Sequence, residues 1–162
     1  MIPHPAFADE VRAISVRVER VQGALKVGFT LEADLSRIAL PEPGPARRGD
    51  KLWQHTCFEV FVSPGMPAYR EFNFSPSGEW AAYLFRRYRE AEPGGAEVQS
   101  LAVRRSAAKL ELDAAIPAPE GRLSIAISAV VESRSGALSY WALKHPAGKP
   151  DFHHPEAFAL EL

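Results

Sequence analysis

The clearest pattern in the chain is the alternation of apolar and polar positions between Leu52 and Arg89. Over residues 57–63, Phe58, Val60 and Val62 alternate with Cys57, Glu59 and Phe61; over 69–75, Arg70, Phe72 and Phe74 alternate with Tyr69, Glu71 and Asn73. A period of two marks a half-buried strand. The joining SPGMPA is rich in turn residues, so the two strands are expected to pair antiparallel. Phe58, Val60, Phe72 and Phe74 then form a core face, and Glu59, Glu71, Asn73 and Tyr69 share the opposite face.

The same reading extends along the chain. Residues 1–10, with Pro3 and Pro5, read as an extended arm, and 6–13 has room for one helical turn. Over 12–21, Ile14, Val16 and Val18 alternate with Ser15, Arg17 and Glu19; over 25–32, Leu25, Val27, Phe29 and Leu31 alternate with Lys26, Gly28, Thr30 and Glu32. Gln22-Gly23 between them predicts a hairpin. Pro41, Pro43, Gly44, Pro45 and Gly49 break any regular element over 34–51. That loop delivers the chain to Trp53 and is a candidate rim for a site. Residues 75–78 read as a tight turn into a third strand over 79–87. Its pattern admits two readings, with Trp80, Ala82 and Leu84 facing the core, or Tyr83 and Phe85. Further strands are expected over 98–105, 109–116, 122–132, 138–145 and 157–162. Roughly ten short strands with frequent turns define an all-β antiparallel sandwich or barrel.

Composition narrows this to one domain over 1–162, long enough for a full core. The 19 basic and 20 acidic residues leave a net charge of −1, which makes no case for nucleic acid or an anionic membrane as partner. Arg86, Arg87 and Arg89, and Arg104 and Arg105, read as solvated strand ends. Cys57 is alone, so no intrachain disulfide forms, which suits a reducing compartment. The opening residues lack the pattern of a secretory signal, and no apolar run is long enough to span a bilayer. A cytoplasmic location is the expectation, with oligomeric state unreadable.

Candidate chemistry centres on the rings. A flat indole packs against the C–H face of a sugar at little entropic cost, and the sugar hydroxyls then need carboxylate, amide or imidazole partners. Trp53, Tyr69, Trp80, Tyr83 and Trp141 are the candidate rings; Glu59, Glu71, Asn73, Lys144 and His145 are the polar groups. A metal reading would draw on His145, Asp151, His153 or His154, and His55, but no spacing typical of a metal site supports it. Glu59 and Glu71 are also spaced to act as the acid and base of a glycosidase. His55 and Cys57 are sequence neighbours rather than a working dyad, and there is no glycine-rich phosphate loop.

LWQHTCFEVFV, YREFNFSPSGEWAAYLF and the closing KHPAGKPDFHHPEAFALEL resemble the DOMON-like proteins of bacteria, a group allied to family 9 carbohydrate-binding modules. The resemblance covers nearly the whole chain, including PHP and VRAISVRVER near its start. It implies a jelly-roll β-sandwich. Trp53 and Glu59 match the Trp and acid that begin the ligand site of those modules. Arg70 or Asn73 stands for the polar group on the next strand, and Trp141 for a second indole that completes an aromatic clamp. The modules known to bind sugars are secreted beside glycosidases, which here shifts the expectation from a polysaccharide to a small sugar or another metabolite. Haem-binding relatives use a Met and a His, for which Met66 and a loop histidine are the counterparts. The resulting expectation is a non-catalytic domain that binds a carbohydrate or other small polyhydroxylated ligand, with no cofactor. Its expected site is Trp53, Glu59, Asn73 and Trp141, with His145 or His153 at the rim. The alternatives are a b-type haem domain and a glycoside-acting enzyme using Glu59 and Glu71.

Overall fold

The structure is a computed structural model that describes residues 1–4 and 10–162. Its strands are β1 (Ile2–Pro3), β2 (Val11–Val21), β3 (Ala24–Ala33), β4 (Arg47–Arg48), β5 (Cys57–Gly65), β6 (Ala68–Phe74), β7 (Glu79–Arg87), β8 (Glu90–Glu92), β9 (Ser100–Arg105), β10 (Lys109–Pro117), β11 (Ser124–Glu132), β12 (Leu138–Ala142) and β13 (Leu160–Glu161). Three 3₁₀ turns, Leu35–Arg37, Leu52–Gln54 and Pro155–Ala157, are the only helical elements among the described residues. Of the helical turn expected over 6–13, residues 6–9 lie outside the described residues, and 11–13 begin a strand instead.

Two sheets pack face to face. The smaller runs β2-β3-β10-β9. The larger runs β1-β12-β11-β5-β6-β7-β4, with β13 added to β11 and β8 to β7. Pairing is antiparallel except where β4 meets β7. The predicted hairpin forms, with Val21 opposite Ala24 across Gly23, whose φ of 73° suits a glycine turn.

The core is what the alternation requires. Leu25, Val27, Phe29 and Leu31 on β3 and Leu110, Leu112 and Ile116 on β10 meet Phe58, Val60 and Val62 on β5 and Phe72 and Phe74 on β6. Ile125, Ile127, Ala129 and Val131 on β11 complete it. Each large side chain taken fully out of water contributes about 1.5–3 kcal/mol, so the two inner faces are what hold the sandwich together.

The larger sheet is also covered on its other face. β5 is buried at every position from Cys57 to Ser63, and β11 at every position from Ile125 to Val131. Outward-pointing Phe61, Tyr69, Phe85 and Ala126 pack with Ala157, Phe152 and Phe158 of the closing segment. Leu52 packs with Cys57 and Ala81. This settles β7. Trp80 and Ala82 face the main core, while Tyr83 and Phe85 pack on the other side, so the two readings of its pattern describe two buried faces. At Gly78, φ is 95° and an added Cβ would meet Gly44 O at 2.6 Å. The proline-rich loop therefore lies directly on the β6–β7 turn before it leads to Trp53.

Candidate functional site

The outer face of the larger sheet reads across five adjacent strands. Tyr140 comes from β12, Ser128 and Val130 from β11, Glu59 from β5, Glu71 and Asn73 from β6, and Tyr83 and Phe85 from β7. The register sets their neighbours: Glu59 stands opposite Ser128 on one side and Asn73 on the other, and Glu71 stands opposite Tyr83. Above them lies a cavity of about 560 Å³, within the range of small-molecule sites. Glu59 and Glu71 line it, together with Trp53, Tyr83, Tyr140, Phe152, His153 and Arg89. The 3₁₀ turn Leu52–Gln54 rests against β5, β6 and β7 and presents Trp53, which is 47% exposed.

The two carboxyls are almost fully withdrawn from water, at 3% for Glu59 and 5% for Glu71. Ser128 Oγ donates to Glu59 Oε2 at 2.8 Å, and Asn73 Nδ2 donates to Glu71 Oε1 at 2.9 Å. Burial pushes the pKa of both above the ordinary carboxylate range, and for Glu59 the nearby Glu71 charge adds to this. The bonds from Ser128 and Asn73 oppose the shift without cancelling it.

His153 reaches over the sheet from the closing loop. Its Nδ1 lies 2.9 Å from the Tyr69 hydroxyl, and its Nε2 lies 3.7 Å from Glu71 Oε2. Tyr69 Oη also accepts from the Arg89 backbone N–H at 3.0 Å. Burial, followed by the Arg89 charge, lowers the His153 pKa to about 4. Arg89 has a left-handed φ of 53°, costly for a residue with a Cβ. That conformation is held by the N–H bond to Tyr69 and by the guanidinium, whose Nη2 donates to Asp151 Oδ1 at 2.9 Å. Tyr88 also donates to Asp151, which pins the closing loop over the cavity.

The expected site residues divide. Trp53, Glu59 and His153 line the cavity, and Asn73 supports it from beneath through Glu71. Trp141 does not line it. It is 4% exposed, packs in the core between the sheets, and its Nε1 donates to Ser139 Oγ at 3.2 Å. The reason is strand alternation: successive side chains point to opposite faces, so Tyr140 takes the cavity position and Trp141 the core. His145 lies past the end of β12, where its Nε2 bonds Ile2 O at 3.1 Å and its ring packs edge-on against His4. Arg70 is paired with Val62 and Leu84, on the face away from the cavity.

Tyr140, Phe152 and Arg89 belong to the cavity although the sequence did not single them out. Arg89 read as a solvated strand end like Arg86 and Arg87, which do turn outward to Glu90. Its left-handed backbone, its N–H bond to Tyr69 and its pairing with Asp151, 62 residues away, separate it from them. His55 pairs with Glu132 at 2.7 Å, and no group of three metal-ligating side chains comes together among the described residues. Met66 lies in the β5–β6 connection and is not among the lining residues.

The fold and cavity define a two-sheet β-sandwich that carries its candidate site on the outer face of the larger sheet. No family model matches the chain, and no curated protein does. Among solved structures, the fold is similar to that of a Bacteroides uniformis protein described as a "putative carbohydrate-binding protein". The TM-score is 0.59 at 16% identity, over 89% of this chain and 75% of that one.

Proposed function

We propose that this domain binds a small carbohydrate or similar polyhydroxylated ligand in the cavity, without chemical turnover. The observation that carries the reading is the half-exposed Trp53 indole at the mouth of a cavity lined by two buried carboxyls. An indole gives a sugar ring a flat apolar platform, and the carboxyls accept from its hydroxyls. Tyr83, Tyr140 and Phe152 supply further ring surface. The description of the structural neighbour and the resemblance to DOMON-like and family 9 modules point the same way. A cytoplasmic location, to which the lone buried Cys57 is suited, favours a small sugar over a polysaccharide.

Calorimetry against a panel of mono- and disaccharides tests the reading. A ligand is expected that Trp53→Ala loses. Silence across the panel, from protein shown to be folded, sinks the proposal.

One observation favours a second reading, glycoside hydrolysis: Glu59 and Glu71 both open on the cavity with raised pKa values. Release of phenol from aryl glycosides by the wild type, abolished in Glu59→Gln, would establish it. The absence of turnover ends it.

A further inference from the structure

The floor of the cavity is set by two carboxyls, Glu59 and Glu71, while the donors of the lining, Trp53, Tyr83, Tyr140 and Arg89, stand around it. Among the described residues Glu59 receives one hydrogen bond, from Ser128 to Oε2. The Oε2 of Glu71 has only the His153 ring, at 3.7 Å. Behind them Asn73 Oδ1 is buried with no hydrogen-bond partner among the described residues. A sugar hydroxyl both donates and accepts, whereas an ammonium only donates, three times over.

The charges point the same way. The one guanidinium in the lining, Arg89, is committed to Asp151. Arg86 and Arg87 are committed to Glu90, and His153 is neutral near pH 7. Among the described residues the only cation acting on Glu59 and Glu71 is Arg89, and its charge does not offset the cost of burying both carboxyls. Around them stand Trp53, Tyr83, Tyr140 and Phe152, whose ring faces attract cations.

We propose that the cavity takes a ligand bearing a protonated amine, with its ammonium on the Glu59–Glu71 floor and its carbon skeleton against Trp53. An amino sugar combines this chemistry with the carbohydrate reading, on which the ring placement rests; a simple amino alcohol supplies the ammonium alone. Seating a cation there favours the ionised carboxyls, so binding expels the protons they hold. The other titratable or charged groups facing the pair are Cys57 on β5, Tyr69 on β6, Tyr83 on β7 with Asp50 beside it, Arg89, and Asp151 and His153 of the closing loop. The carboxyls themselves are the groups that an added ammonium moves most.

The test is calorimetry of the full chain with glucosamine, glucose, N-acetylglucosamine and 2-aminoethanol. It is run at about pH 6, below the pKa of an amine, in two buffers of different ionisation heat. Glucosamine is expected to bind at least tenfold tighter than glucose or N-acetylglucosamine, with protons released to the buffer. Glu71→Gln should bring the glucosamine-to-glucose ratio close to one. If that variant fails to fold, the wild-type buffer comparison decides, and glucosamine binding with no proton release overturns the inference. Glucose bound as tightly as glucosamine also overturns it and leaves the carbohydrate reading standing. Binding of 2-aminoethanol as tight as that of glucosamine, with glucose silent, keeps the ammonium seat and removes the carbohydrate reading. No binding by any of the four removes both.

Discussion

The Tyr69 hydroxyl and His153 Nδ1 lie 2.9 Å apart, which ties the start of β6 to a loop 84 residues later in the chain. The same hydroxyl accepts the Arg89 N–H. One phenol therefore holds both the ring over Glu71 and the strained residue whose guanidinium secures the closing loop. Tyr69→Phe keeps the ring packing but removes two partly buried hydrogen bonds, one with His153 Nδ1 and one from the Arg89 N–H. A loss of about 1–3 kcal/mol in urea unfolding is expected, with weakened ligand binding. Unchanged stability would mean that water replaces the hydroxyl.

The stability of the protein should fall as pH rises above neutrality. A carboxyl whose pKa is raised on folding binds more protons folded than unfolded, between its ordinary unfolded value and the raised one. Its contribution is complete at low pH and is lost as pH climbs through that window. For His153, lowered to about 4, the sign is opposite, and its contribution grows from about pH 4 to its unfolded value of about 6.5. The two effects oppose each other below that point; above it, among the described residues, the carboxyls act against only the Met1 amino group, whose burial lowers its pKa from the ordinary 8.0. Unfolding free energy measured from pH 6.5 to 8 should decline by up to about 1.4 kcal/mol per pH unit for each carboxyl still titrating. Glu59→Gln and Glu71→Gln should flatten the slope.

The tryptophans offer a direct contrast. Trp53 is half exposed, so Trp53→Ala should change stability by no more than about 0.5 kcal/mol while weakening ligand binding tenfold or more. Trp141 fills the core, so Trp141→Ala should cost about 3–5 kcal/mol. Melting curves of the two variants check both statements.

Cys57 reports on the covering of the outer face. It is fully buried, and that burial, helped by the Glu59 charge, pushes its thiol pKa well up. A thiol reagent should leave it unmodified in the folded protein and label it only as the chain unfolds. Rapid labelling under native conditions would show that the Leu52 turn, which packs on Cys57, opens readily.

Most of the fold was legible because a period of two is a local property. The hairpin of β2 and β3 and the meander of β5, β6 and β7 follow from which side chains alternate, and so do Phe58, Val60, Phe72 and Phe74 as core. The boundaries missed by up to three residues, as at the end of β12 and the start of β13, and the brief strands β4 and β8 carried no readable pattern. β7 resisted a one-sided reading because an apolar residue on either face of a doubly covered strand gives the same signal.

Taken alone, the sequence determined the sandwich class, the face that bears Glu59, Glu71 and Asn73, and the place of Trp53 just ahead of it. Only the tertiary structure decided that this face is roofed into a cavity. The roof comes from residues 143–158, in which Phe152 packs on the sheet, His153 meets Tyr69, and Asp151 holds Tyr88 and Arg89. Such contacts span 60 residues or more and leave no periodic trace. Choosing Tyr140 over Trp141 needed the register of β12 against β11, in which Tyr140 meets Val130 and Trp141 meets Ala129. A shift of one residue would exchange them, and the packing of both faces of the sheet together with the turn before β12 sets that position.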